Sequence, residues 1–477
     1  MREDLQIRNI DIVFADFVCS RDNGSTDLLR KAATFASSAV GYGNICVDLA
    51  DVFGASEVTS AAAGLRTSKM VGEPGEYRPL VLDDANRLYL HRYWKYESDL
   101  AATLISMASD VPDVDTVLLK DGLSRLFSNT DESIDWQGVA AAAVVRSRFC
   151  VISGGPGTGK TTTVVKIIAL LLEQAKGSRM RIGLAAPTGK AAARLKESIY
   201  KAGKDLANST SVAESIPSDV STLQRLLGVI PDSCRFRHNA DNPLPFEAIV
   251  VDEASMVPLG LMAKLVEALA PGSRLILLGD RDQLASVEAG AVLGDICNTG
   301  HGFGFSSAFK ALITEVTGCT IPESFVGSNV PVLADSVVVL QKNYRFGEDS
   351  GIGLVSTAIN NDNAASVLGG MKDGTTSGLI LRETPSRDSL QKKLAAAVIP
   401  GFSDYLRHEN PDDALVAFDQ FRVLCALRQG IYGVEGINSL IEACLADEGI
   451  IKPDKQWYHG RPVMVMINDY SLKLFNG

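Results

Sequence analysis

A glycine-rich turn constrains this chain more than any other stretch. Gly154, Gly155, Pro156, Gly157, Thr158, Gly159, Lys160 and Thr161 read G-x-x-x-x-G-K-S/T. The apolar run Phe149, Cys150, Val151, Ile152 precedes it, and a long segment with helical spacing, from Thr162 to Leu172, follows. Strand, glycine turn and helix together form a phosphate loop. The glycines let backbone N–H groups close around a polyphosphate, and the helix N-terminus adds partial positive charge. Lys160 is then spaced to reach the β- and γ-phosphates, and the Thr161 hydroxyl to ligate Mg²⁺, with Thr162 beside them. The pattern predicts a site for ATP or another nucleoside triphosphate.

The rest of the chain extends that expectation. Ile182–Ala186 reads as a second strand ending in Pro187, Thr188, Gly189 and Lys190, a loop whose hydroxyl and cation suit a phosphodiester. Ala248, Ile249, Val250 and Val251 form a third strand that delivers Asp252 and Glu253. An aspartate there helps hold Mg²⁺, and the neighbouring glutamate is suited to orient or deprotonate the attacking water. A fourth strand, Arg274–Leu278, ends near Arg281 and Gln283, whose amide suits a γ-phosphate. Strands alternating with helical segments predict an α/β fold with a doubly wound parallel sheet, its ligands at the strands' carboxyl ends. Gln137 opens an alanine-rich helix and reads equally as an adenine contact or an exposed helix-start residue. Arg345 follows the run Val337–Leu340. From the residues alone it reads first as a surface arginine and second as an arginine finger.

Outside these motifs, Leu28–Val40 has helical spacing, Gly43–Leu49 reads as a strand entering a turn, and Pro79–Leu82 and Arg87–Leu90 form a strand pair. The segment His91–Glu97 carries four rings among basic residues. Inward packing at a helix start is the simpler expectation, and stacking on nucleic acid the alternative. A polar linker is expected at 128–135 and an irregular surface insertion at 298–330. Strands are expected at 337–340, where the next domain begins, and at 422–427, 462–467 and 472–475. The sequence stops on Asn476 and Gly477, a hairpin-turn pair, so the expectation is a chain that ends inside a β module.

Charge and cysteines set limits. The formal net charge is −11, so any nucleic acid must sit in a local groove or share charge with partner subunits. The eight cysteines are scattered with no C-x-x-C pair, which argues against a zinc or iron–sulfur site. With no signal-like start and no apolar run of about 18 residues, a cytoplasmic protein with no membrane association is expected.

The order of motifs resembles superfamily 1 DNA helicases, and within them the RecD (alpha) subunits of RecBCD enzymes, exodeoxyribonuclease V. The likeness rests on Ile152–Thr162 (motif I), Ala186–Ala191 (Ia), Val251–Ser255 (II), Leu278–Asp295 (III) and Leu340–Gly347 (IV). Arg87–Trp94, Leu424–Arg428 and Gly460–Met464 extend it over nearly the whole chain. The resemblance implies a P-loop NTPase with a partner-docking domain (1–114), a first RecA-like motor (115–335) and an incomplete second motor (336–477) ending in a partial SH3-like module. It implies ATP- and Mg²⁺-dependent 5′–3′ movement on single-stranded DNA from duplex ends, in a heterotrimer with RecB- and RecC-like subunits acting in double-strand-break repair and recombination. By position, Gln137 would contact adenine. Lys160, Asp252, Glu253, Gln283 and Arg345 would complete the hydrolytic site, while Pro187, Thr188, Lys190 and Thr222 would lie along DNA. Gln224 stands where a histidine is expected, and the late helicase motifs are not in the sequence. The alternative is a truncated, non-translocating fragment that binds ATP and partners.

Overall fold

The computed structural model describes residues 7–22, 27–127, 134–206, 215–284, 286, 288–298, 304–346, 350–363, 365–372, 378–465 and 472. The chain divides into two compact units, Met1–Glu348 and Asp349–Gly477.

The first unit opens with α1 (Asn9–Ser20) and α2 (Asp27–Gly41), then β1 (Cys46–Asp48), α3 (Leu49–Phe53) and α4 (Val58–Arg66). After β2 (Val71–Gly72), β3 (Leu80–Leu82) and β4 (Arg87–Leu90), the long helix α5 (His91–Ser109) begins at the end of β4. These strands form a small sheet in the order β1-β4-β3-β2. The expected strand pair is the antiparallel β3–β4 pairing, with Val81 opposite Tyr89.

A larger sheet follows. Ahead of it lie α6 (Thr116–Leu126) and α7 (Trp136–Arg146); it then begins with β5 (Phe149–Ser153), α8 (Lys160–Gln174), β6 (Ile182–Ala186) and α9 (Gly189–Leu206). Next come β7 (Val220–Thr222), α10 (Leu223–Leu227), β8 (Ala248–Val251), α11 (Leu259–Glu267) and β9 (Arg274–Gly279). Finally α12 (Val292–Cys297) and α13 (Ser307–Thr317) lead to β10 (Val337–Val339). The strand order is β10-β5-β9-β8-β6-β7, and every pairing is parallel. Helices cover both faces, so β5 and β8 are buried throughout and read as unbroken apolar runs. Parallel register brings the carboxyl ends of β5, β6, β8 and β9 to one edge. All the sequence's strand-end motifs therefore meet there.

The alanines of α7 let it lie close against this sheet, and Val139–Val145 are almost wholly buried. Its last carbonyls are satisfied from β9. The Arg274 guanidinium donates to Val144 O, Val145 O and Ser147 O at 2.7–3.0 Å. Burial lowers its pKa to about 10, yet it remains the cation that a helix C-terminus favours.

Four expectations need correction. Val337–Val339 does not begin a separate sheet but pairs with the P-loop strand, Val338 opposite Ile152. The described part of 298–330 is not a surface insertion: α13 crosses it, and Phe305, Phe309, Ile313, Val316 and Ile321 are buried in the motor core. No strand forms at 422–427 or across 462–465. Leu424 is 91% exposed there, so no neighbouring strand covers it. The remainder of the 462–467 run, the 472–475 strand apart from Leu472, the closing Asn476–Gly477 pair and most of the 128–135 linker lie outside the described residues.

The second unit is helical in its described residues: α14 (Gly351–Asn360), α15 (Ala365–Lys372), α16 (Arg387–Ser403), α17 (Pro411–Phe418) and α18 (Val434–Asp447). Its core gathers Val398, Phe402, Tyr405, Cys444, Leu445 and Ile451. Phe402 stacks on Phe418, with ring centroids 5.6 Å apart.

Candidate functional site

The loop after β5 takes its shape from two left-handed glycines, Gly157 (φ 85°) and Gly159 (φ 79°). Neither position has room for a side chain. A Cβ on Gly157 would stand 2.5 Å from Arg345 Cβ, and one on Gly159 2.5 Å from Gln137 Nε2. The Thr158 hydroxyl closes the turn onto Gly155 O at 2.9 Å, and Gly154 N donates to Gly279 O at 3.1 Å, tying the loop to β9. Lys160 Nζ donates to the loop carbonyls of Gly154 and Gly155. Burial lowers the Lys160 pKa, opposed by the charges of Asp280, Glu253 and Asp252.

A cavity of about 720 Å³ opens above this loop, lined by Pro156–Thr162, Asp252, Glu253, Gln283 and Arg345. Residues separated by up to 189 positions in sequence are thus brought together. Asp252 is half-buried, and its desolvation raises its pKa to about 6, although its Oδ1 accepts a 2.9 Å hydrogen bond from Glu253 N. Glu253 adopts a left-handed conformation (φ 52°) that is unusual for a residue with a side chain. Such strain at the end of a buried strand marks a position whose side-chain direction is fixed by its surroundings. Gln283 is exposed, with its amide 3.4 Å from Asp280 Oδ2. Gly154 and Gly155 belong to the loop; Gln137 does not line the cavity but donates to Thr158 O at 3.0 Å, so its amide braces the loop from outside.

Arg345 reaches the cavity through a clamp that sequence reasoning missed. Asn343 Nδ2 donates to Pro156 O at 2.9 Å while its Oδ1 accepts from Arg345 N and Phe346 N at 2.9 and 3.0 Å. Tyr344 N donates to Gly157 O at 2.8 Å. The segment after β10 is therefore stitched to the P-loop backbone, which explains why Gly157 must be glycine. Arg194, Ser198 and Lys201 of α9 also line the cavity; their i, i+4, i+7 spacing is the signal that was available.

The nucleic-acid candidates separate. Pro187 and Thr188 line a second cavity of about 910 Å³, with Gln224 and Gln283. Lys190 is exposed on the first turn of α9 and does not line it. Thr222 caps α10, its hydroxyl accepting from Arg225 N at 3.3 Å.

Comparison with known proteins places this geometry. An AAA domain model matches residues 137–289, and the model "RecBCD enzyme subunit RecD, N-terminal domain" matches residues 3–59. The RecBCD enzyme subunit RecD of Mycobacterium tuberculosis (strain CDC 1551 / Oshkosh) is 36% identical over 490 residues, covering 98% of this chain and 76% of the relative. The chain belongs to the RecD family. The RecD-family relative from Mycolicibacterium smegmatis is 37% identical, with 94% of this chain and 74% of the relative covered. The ATP-dependent RecD2 DNA helicase of Deinococcus radiodurans matches 31% of this chain at 41% identity. As a RecD-family chain with a P-loop site, it is an ATP-dependent DNA helicase subunit of the RecBCD type. The relatives favour this reading over the non-enzymatic fragment.

Proposed function

We propose that ATP is hydrolysed in the P-loop cavity to drive 5′–3′ movement along single-stranded DNA, within an assembly of RecB- and RecC-like subunits acting at duplex ends. The observation that carries the reading is one cavity lined by Lys160, Thr161, Asp252, Glu253, Gln283 and Arg345. Lys160 neutralises the β- and γ-phosphates, and Glu253 orients or deprotonates the attacking water. Arg345 stabilises charge on the transferred phosphoryl group, while Gln283 senses it by hydrogen bonding. The oxygen donors of Thr161 and Asp252 fit Mg²⁺, which takes one or two protein ligands beside the substrate's phosphates and supplies charge neutralisation there. Partial burial of Asp252 leaves it with an incentive to acquire a cationic partner.

Gly154–Gly159 and Thr162 are assigned to cradling the phosphates, and Gln137, which braces the loop, to contacting adenine. Pro187, Thr188, Lys190 and Thr222 are assigned to the DNA path, Thr222 by way of the α10 cap. Residues 1–114 are assigned to docking on the partner subunits. The first motor then runs through β10, with the second motor and its SH3-like module beyond. None of the eight cysteines is disulfide-bonded, and no described helix is long and apolar enough to cross a membrane; we assign the protein to the cytoplasm. The test is single-turnover ATP hydrolysis with and without single-stranded DNA. The chain hydrolyses ATP faster with DNA, and Lys160→Ala abolishes turnover in a folded protein. Undiminished hydrolysis by that variant would remove the site from the mechanism.

A further inference from the structure

Helix α5 carries an aromatic pair that the nucleotide site does not use. Tyr93 and Tyr96 pack on the motor core from one side, as a helix start packing its aromatics inward requires. Their rings meet edge to face, with centroids 6.5 Å apart. Tyr96 lies over Gly260 of α11, where an added Cβ would be 3.5 Å from Tyr96 Cε2. Lys264 Nζ stands 5.7 Å from the Tyr96 ring centroid. Core packing leaves both rings only half-buried, and their other side borders the 910 Å³ cavity that also receives Pro187 and Thr188.

The rest of that lining has the same character. Leu284 is 93% exposed and Met256 44% exposed, both on this cavity. Its charged residues are Arg92, Lys264 and Glu288, with Lys264 Nζ paired to Glu267 Oε2 at 2.7 Å. Rings held rigid from behind, apolar side chains left in solvent and the Arg92 cation beside them are the composition that takes an unpaired polynucleotide strand, with bases on the rings and phosphate near the guanidinium. A duplex offers no exposed base face to such a wall.

We propose that the Tyr93–Tyr96 face of α5 is a base-stacking wall for single-stranded DNA, so that the segment ahead of the motor sheet holds the strand together with the loop after β6. This rests on the reading that Pro187 and Thr188 lie along DNA. The test measures binding of the full chain, by fluorescence anisotropy, to a labelled oligothymidylate and to an abasic oligonucleotide of the same length. Tyr93→Leu and Tyr96→Leu keep apolar bulk against the core but remove the ring. Each should weaken oligothymidylate binding about tenfold, in the range of one lost base–aromatic stack, and leave abasic binding unchanged. Tyr96→Phe should bind as the wild type does. Equal losses on both oligonucleotides, or no loss in either leucine variant, would overturn the wall. Equal affinity of the wild type for both would also overturn it and give the cavity to another occupant, such as a protein segment. Thr188→Ala weakens both oligonucleotides alike if the loop lies along DNA. Its silence would break that reading, whereas silence of the tyrosine variants alone breaks only the wall.

Discussion

The two cavities at the carboxyl edge of the large sheet are built in opposite ways. The floor of the nucleotide cavity is made of backbone, with two left-handed glycines, a helix N-terminus and carbonyls that hold Lys160. The groove beside α5 is made of side chains delivered by segments as distant as Tyr93, Thr188 and Leu284. A site of backbone must be spelled in consecutive residues, because each φ/ψ demand falls on one position. A site of side chains can be assembled from anywhere, and no short stretch of sequence announces it.

Substitutions can break this contrast. Glu253→Gln keeps shape and removes the base, so turnover should fall by about 10²–10⁴-fold while ATP still binds. Equal loss of binding and turnover, measured by nucleotide titration beside single-turnover kinetics, would make Glu253 structural. Gly157→Ala strains a φ of 85° and pushes a Cβ into the Arg345 segment. Displacement of catalytic groups by about 1 Å costs about 10²-fold in rate, and that is the expected loss. An active Gly157→Ala would show that the backbone is not what shapes the cavity.

Lys190→Ala belongs to the side-chain class. It should lower the slope of log affinity against log salt by about 0.7, one single-strand phosphate contact, and an unchanged slope places Lys190 off the strand.

The smallest effect lies at the other edge of the sheet, where Glu247 pairs with Arg181 at 2.9 Å. The salt bridge with Arg181 holds the Glu247 pKa below the ordinary glutamate value. Its contribution is therefore present above that ordinary value and lost as pH falls through the lowered one. The pair is nearly half exposed, so Glu247→Gln should cost no more than about 1 kcal/mol at neutral pH and nothing at pH well below 4. Thermal melts across that range check the sign, and ATP turnover should not change.

The same contrast explains what could be read from the sequence. The motor strands β5, β6, β8 and β9 were legible because strands buried on both faces are continuous apolar runs, whereas the half-buried edge strand β7 was not read. That β10 joins β5 was not, since parallel partners are set by a crossover of nearly 200 residues rather than a turn. Around α13, abundant Gly, Ser and Thr masked the spacing of Phe305, Phe309, Ile313 and Val316, which is helical and core-forming. The runs at 422–427 and 462–465 were too short for periodicity to separate strand from coil. In the site, Pro156–Thr162, Asp252, Glu253, Gln283 and Arg345 line one cavity whereas Gly154, Gly155 and Gln137 do not, and the Asn343 clamp was missed because it depends on where the chain leaves the sheet.

That clamp has a mechanical meaning. Chain continuing past Arg345 toward the second unit is fastened to the P-loop at Pro156 O and Gly157 O, before any tension reaches β10. Two such bonds are worth about 1–3 kcal/mol net, small enough to make and break within one turnover. That places the nucleotide loop in series with the chain beyond it: pull on that chain would be felt first where the phosphates bind, and a change in the phosphates would be felt first by the tether.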